Sequence, residues 1–387
     1  MRRVYMDANA TTPLVPEVFE AMRPYYMERF GNAASIHMEG QQARAAVDQA
    51  RESVATLIGA RSSEIVFTSG GTESDNLALF GSLRAGDHLI TSAIEHSAVL
   101  HTAQELAKRG VEVTYVGCDR ASRISADAVQ AAMRPNTKLV SIMLANNETG
   151  VLQPVAEFAE IAHKHGALFH TDAVQAAGKV PINVAALDCD LLSVSAHKIH
   201  GPQGVGALFV RRNVRITPLF YGGTHERQRR AGTENLPGIV GFGKASELAL
   251  QWMASGGPAV LAAERDRLES GILAAINETG VNGAGAQRVA NTTNLYFDHV
   301  EAEALLIALD LKGLAVSGGS ACQSGATEPS HVLLAMGLSP ARARASLRFS
   351  LSKLAANADV DFALDVVPSA VARLRELSPS YKAFAAK

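Results

Sequence analysis

Three stretches of this chain carry residue types suited to holding a charged, carbonyl-bearing ligand, and a fourth carries a thiol. Thr68-Ser69-Gly70-Gly71-Thr72-Glu73-Ser74 lies between a β-rich run and a predicted helix over Ser74–Leu83. Glycines let the backbone approach an anion, and free amides at a helix start favour phosphate. The same residues also suit an ordinary strand-to-helix turn with Thr72 and Asp75 as a capping pair. Asp172 follows Ala167-Leu168-Phe169-His170-Thr171, so its carboxylate leaves the carboxyl end of a predicted inner strand. A buried carboxylate needs a cation. A protonated pyridine nitrogen is one, and holding that proton makes the ring an electron sink. The alternative is an Asp that caps the turn ahead of Ala173-Val174-Gln175.

Lys198 ends the small, apolar run Ser193-Val194-Ser195-Ala196-His197. Desolvation and nearby positive charge make an amine easier to deprotonate, and hence able to form a Schiff base; a solvated lysine closing a strand is the alternative. Ser317-Gly318-Gly319-Ser320-Ala321-Cys322-Gln323-Ser324-Gly325 sets one thiol among small residues, a setting for a reactive rather than a structural cysteine. Cys118 and Cys189 lie in or beside apolar runs and read as inert. His96 sits just past a strand, where an imidazole can stack on a flat ring and move protons, or be structural. Arg348, flanked by apolar residues, presents a planar fork to a substrate carboxylate or to a structural ion pair.

These groups need a frame. Of the 387 residues 47% are hydrophobic and 19% charged, and the formal net charge is -2, which predicts a packed protein with no general field for nucleic acid or anionic lipid. The N-terminus lacks an apolar signal core and no run is long enough to span a bilayer, so no membrane association and a cytoplasmic location are expected. Three widely spaced cysteines offer neither a disulfide framework nor a C-x-x-C metal site. Helix patterns at 41–58, 96–109, 126–133 and 155–164 alternate with strand patterns at 64–68, 87–91, 111–116, 139–144 and 167–171, followed by strands at 191–195 and 206–210. That alternation predicts an α/β fold: a mainly parallel sheet flanked by helices, with ligands at the strands' carboxyl ends. The composition breaks near Ser255-Gly256-Gly257-Pro258. This places a large domain at 14–256 and a smaller α+β domain at 1–13 and 257–387, carrying the cysteine stretch.

Together these residues resemble the group I cysteine desulfurases, pyridoxal-phosphate enzymes of the aminotransferase class V family. The likeness runs from Tyr5 to Pro379. It is carried by Thr68–Asn76, Ala196-His197-Lys198-Ile199-His200-Gly201-Pro202, Arg230-Ala231-Gly232-Thr233-Glu234-Asn235, and the cysteine stretch with Glu328-Pro329-Ser330-His331. The resemblance implies the pyridoxal-phosphate transferase fold, with Lys198 as Schiff-base lysine, Asp172 at the pyridine nitrogen, Gln175 at the ring hydroxyl and His96 stacked on the ring. Gly71, Thr72, Ser195 and His197 would hold the phosphate, joined by Thr233 from the second subunit of a homodimer. Asn147 and Arg348 would bind the substrate carboxylate. Cys322 would take sulfur from L-cysteine as a persulfide, releasing alanine. A free thiol is only a few per cent ionised, roughly, at neutral pH, which makes His96 the candidate base that forms the thiolate. Protein acceptors such as an iron–sulfur scaffold would then receive the sulfur. No metal is required, although Cys322 is open to transient iron–sulfur ligation. Gly318 and Gln323 depart from the family's usual serine and threonine. The alternatives are a selenocysteine lyase, another class V pyridoxal-phosphate enzyme, or a non-catalytic scaffold.

Overall fold

A computed structural model describes residues 2–318, 328–379 and 381–382; Cys322 and Gln323 lie outside them. Seven strands form the main sheet in the spatial order Ile65–Thr68, Gly206–Val210, Leu191–Ser195, Leu168–Asp172, Thr137–Ser141, His88–Ser92, Glu112–Val116. The last five in that order run parallel. Gly206–Val210 is antiparallel to both of its neighbours. The reason is the connection: residues 196–205 are too few for a crossover helix, so the chain turns back on itself. The mainly parallel sheet expected from the alternating pattern is therefore present, with one reversed strand.

The helix expected from Ser74 starts at Gly71 and runs to Ser82. Two glycine-rich positions hid its first turn, because glycine is a poor helix former. Gly70 precedes it at φ +152°, a backbone state that favours glycine. The helix expected from Gln41 begins at Met38, where the His37 Nδ1 accepts from the Gly40 N–H.

Beyond residue 256 the pattern changes. Ser346–Ser350, Thr292–Phe297 and Thr279–Val281 form an antiparallel sheet, and Val4–Tyr5 pairs in parallel with Leu314–Ala315. A separate apolar core gathers Val4 and Met6 with Leu268, Leu295, Phe349 and Val367, among others. The next residues of the N-terminal segment cross between the two parts: Ala8 N–H donates to the Ser350 carbonyl, and Thr12 N–H to that of His197.

Candidate active site

A cavity of about 320 Å³ opens at the carboxyl ends of the parallel strands. Gly71, Thr72, His96, Asn147, Asp172, Gln175, Ser195, His197, Lys198 and Arg348 all line it, so tertiary structure gathers ten of the twelve residues singled out above. Thr233 is exposed and does not line it, and Cys322 is outside the described residues. The segment holding Thr233 is tied to the Gly71–Ser82 helix by Arg230 Nε, 2.9 Å from Glu73 Oε1.

One end of the cavity suits an anion. The first-turn amides of the Gly71–Ser82 helix have no carbonyl partners within the helix, and the dipole there is positive. A side chain at Gly71 would put Cβ 2.8 Å from Val174 Cγ2, so only glycine leaves this cradle open. The buried Ser195 Oγ has no hydrogen-bond partner. His197 Nδ1 lies 3.0 Å from Thr11 Oγ1, and burial, then Lys198, pushes its pKa down to about 4.

The floor suits a cation. Asp172 ends its strand and accepts from the Val174 N–H at 2.9 Å. Burial raises its pKa to about 6 against the opposing pull of that hydrogen bond and of Lys198. Asp75 and Glu95 are buried near it: burial and the Asp172 charge raise Asp75 well above the usual carboxylate range, and burial takes Glu95 to about 8. Glu95 Oε2 has no hydrogen-bond partner, and Asp75 Oδ1 faces His170 Nε2 at 3.6 Å. Below them His170 is held neutral by burial, its pKa pushed down to about 3, between Ser141 Oγ at 2.8 Å and Ser193 Oγ at 3.1 Å.

Lys198 closes a 3₁₀ turn directly after the Leu191–Ser195 strand, and its Nζ donates to the carbonyls of Asn9 and Ala10, both at 2.6 Å. His96 caps the Ser97–Lys108 helix, its Nδ1 accepting from the Ala98 N–H at 3.1 Å. That bond places the ring proton on Nε2. Burial first, then Lys198, lowers the His96 pKa to about 4.

On the opposite side Arg348 is buried. Its Nη2 pairs with Asp7 Oδ1 at 2.8 Å and its Nη1 donates to the Asn147 carbonyl at 2.9 Å. The ordinary ion pair considered above is thus realised, yet Arg348 Nε and Asn147 Oδ1 remain buried without partners. Gln175 donates through Nε2 to the Asn9 carbonyl and accepts through Oε1 from Lys179. Both flanks of the cysteine stretch meet this wall. Ser317 exchanges backbone hydrogen bonds with Arg348, Ser330 Oγ donates to Glu148 Oε2 at 2.5 Å, and His331 Nε2 lies 2.9 Å from the Glu95 carbonyl.

Sequence reasoning missed Asn9, Asp75, Glu95, Glu148 and Lys179. Glu148 was within reach, since the polar run Asn146-Asn147-Glu148-Thr149 directly follows an apolar strand. Asn9 and Lys179 lie in no periodic pattern that would have marked them as buried.

The family model for aminotransferase class-V matches residues 4–362. A cysteine desulfurase IscS from Methanosarcina thermophila is 50% identical over 98% of this chain and 94% of its own length. A cysteine desulfurase from Gluconacetobacter diazotrophicus is 49% identical over 100% of this chain and 98% of its own. Among solved structures, a NifS-like protein superposes with a TM-score of 0.89 at 36% identity, covering 96% of this chain and all of that one. A structure of SspA in complex with cysteine gives 0.79 at 37%, covering 90% of this chain and 98% of that one. With the strand-end cavity, its lysine and its buried carboxylate, these likenesses establish that the chain belongs to the aminotransferase class-V family, among the cysteine desulfurases.

Proposed function

We propose that this protein removes sulfur from L-cysteine with pyridoxal phosphate, leaving alanine and a persulfide on Cys322. The observation that carries the reading is the convergence of Lys198, Asp172, His96, the open cradle at Gly71 and Arg348 on one cavity. The residues present fit the cofactor. A Ser195 hydroxyl without a hydrogen-bond partner and a glycine cradle at a helix start suit its phosphate, and a carboxylate buried at a strand end suits its ring nitrogen. Bound there, pyridoxal phosphate supplies an electron sink that makes the α-proton of an attached amino acid acidic.

The chain's own residues do the rest. Gly71, Thr72, Ser195 and His197 hold the phosphate, with Thr233 of a second copy completing the set. Asp172 keeps the ring nitrogen protonated, Gln175 meets the ring oxygen, and His96 stacks on the ring with its proton on Nε2. Lys198 Nζ anchors the cofactor and moves the α-proton. Asn147 and the free Nε of Arg348 orient the substrate carboxylate, as a planar fork does. The Cys322 thiolate would bond to the substrate sulfur as the carbon–sulfur bond breaks, the electron pair of that bond staying with the carbon frame, which would take up a proton and leave as alanine.

The chain divides into a large cofactor domain, 14–256, and a smaller one built from 1–13 and 257–387. A homodimer is supported by the large apolar side chains left exposed at Met27, Phe30 and Ile36, close in sequence, and at Tyr221. Among the described residues Cys118 and Cys189 are free thiols and no helix is long and apolar enough to cross a membrane. Both agree with work in the cytoplasm, handing sulfur to protein acceptors for iron–sulfur assembly.

The test is sulfide and alanine release from L-cysteine with a reductant, on the parent, Cys322→Ala and Lys198→Ala, with absorbance spectra of each. The parent should be yellow and active, Cys322→Ala yellow and inactive, and Lys198→Ala without the lysine-bound colour. Full desulfuration by Cys322→Ala would overturn the persulfide step.

A further inference from the structure

Glu226, Arg227 and Gln228 are three successive residues with positive φ, +45°, +55° and +65°, and none is glycine. Side chains crowd the backbone in that left-handed region, so such a run persists only where its surroundings hold it. The hold here is Glu226, whose carboxylate is buried. It accepts from Arg51 Nη1 at 2.7 Å and Nη2 at 2.8 Å, and from the Phe67 N–H at 2.9 Å. Arg51, buried in the Met38–Ile58 helix, also donates to the Ile65 carbonyl at 3.0 Å and lies over the Phe67 ring. The pair thereby ties the turn to the Ile65–Thr68 strand, the one that runs into the glycine cradle. Arg227 adds a longer contact, to the Ser63 carbonyl at 3.2 Å.

Two residues beyond the turn, Arg230 Nε donates to Glu73 Oε1, and Glu73 Oε2 accepts from the Ser69 N–H at 2.8 Å. Burial pushes Glu73 up, but the hydrogen bonds from Arg230 and Ser69 outweigh it and hold the carboxyl below its usual range. Glu73 therefore stands there as an anion answered by Arg230. These contacts close a ring from the Ile65–Thr68 strand through Arg51, Glu226, the turn, Arg230, Glu73 and Ser69, back to the end of the same strand. Gly70 and Gly71 follow Ser69 directly. Replacing a buried ion pair by apolar side chains of similar size often leaves a protein as stable, so stability alone does not account for this one. We propose that Arg51 and Glu226 are positioning residues for a bound phosphate: they fix the left-handed turn, the turn keeps Arg230 on Glu73, and Glu73 sets the Ser69 amide and the glycines after it where the phosphate needs them. The inference rests on this cradle taking the phosphate of pyridoxal phosphate, but its first readout does not need the cofactor.

The test uses the full chain freed of cofactor. Arg51→Met together with Glu226→Leu replaces the pair as a unit, and Arg230→Gln breaks the ring at its far side. Circular dichroism checks the fold of each, and Glu226→Gln replaces the double variant if that one does not fold. Amide hydrogen exchange, read by mass spectrometry on the peptide that holds Ser69–Gly71, should become about tenfold faster in both variants, while the Leu191–Ser195 strand exchanges as slowly as in the parent. Absorbance titration then compares pyridoxal phosphate with pyridoxal, which shares the ring and aldehyde but lacks the phosphate. Affinity for pyridoxal phosphate should fall about tenfold in both variants, and affinity for pyridoxal should stay within about twofold. Combining all the substitutions should cost no more than Arg230→Gln alone, because both changes act through Glu73. Unchanged exchange at Ser69 in the double variant, or an equal loss of both ligands, overturns the proposal. If the parent itself binds pyridoxal as tightly as pyridoxal phosphate, the cofactor reading falls instead, and exchange at Ser69 still judges the brace.

Discussion

The two walls of the cavity are built on different principles. One wall comes from the ends of the large sheet: Asp172 closes a strand, Ser195 another, Lys198 the turn after it, and His96 caps the helix after a third. Each is placed by its own backbone, and the Ser195 Oγ waits without a hydrogen-bond partner. The other wall is Arg348, in the middle of the Ser346–Ser350 strand, with the N-terminal segment around Asp7 and Asn9. Its groups are placed only by one another. Asn9 alone receives Lys198, Lys179, Gln175 and Asn291 and donates to Asn147 and Thr292. The first wall is ready to accept a ligand at little cost to the fold, whereas the second cannot lose a member without disturbing the rest.

The sharpest test of that contrast is Arg348→Ala, which removes both the Asp7 pair and the Asn147 contact. It should cut kcat/KM for cysteine about 100-fold or more, on the order of 3 kcal/mol, and Arg348→Lys should recover little of it because one ammonium cannot replace the fork. Steady-state kinetics within threefold of the parent would break the comparison. Asn9→Ala leaves several buried groups unpaired, so the cofactor-free protein should lose about 2 kcal/mol, read by urea unfolding. Ser195→Ala, by contrast, deletes a hydroxyl with no partner. Phosphate-dependent cofactor affinity should fall about tenfold while the urea midpoint of the cofactor-free protein stays where it is.

The smallest effect concerns pH. Folding raises the Glu95 pKa from 4.5 to about 8, so the folded state binds a proton that the unfolded chain has released. Stability from that group is complete below about 4.5 and declines as pH rises towards 8. Glu95→Gln should flatten that decline in the cofactor-free protein, a gain of about 1 kcal/mol near pH 8 after allowance for relaxation. The neutral, buried His96 and His170 act with the opposite sign: their folded pKa values of about 4 and about 3 lie below 6.5, so stability drains as pH falls from 6.5. A thermal melt series from pH 4 to 9 separates the two.

Much of this was legible beforehand. The alternation from 41 to 171 announced the large sheet, because parallel strands buried on both faces must be apolar runs separated by helices. The lysine, the aspartate and the glycine cradle stood out because a polar group directly after such a run is delivered to a strand end. The start of the Gly71–Ser82 helix was misplaced by three residues, since glycine conceals a helix from propensity. The burial that lowers the His96 pKa is not legible in the sequence, because desolvation depends on packing.

The order of residues by itself determined where the strands end, and hence that Asp172, Ser195 and Lys198 emerge on one edge. That follows from local rules: side-chain period, turn residues and crossover handedness. Only the tertiary structure decided that Asn9 and Arg348, 339 positions apart, close the cavity together, and that two lysines meet on one asparagine. Those contacts depend on how two separately built cores dock through the N-terminal segment, and on a low-dielectric interior that no local stretch creates. The charge states of Glu95 and His96 depend on that interior as well, because desolvation belongs to the packed molecule rather than to any residue in it.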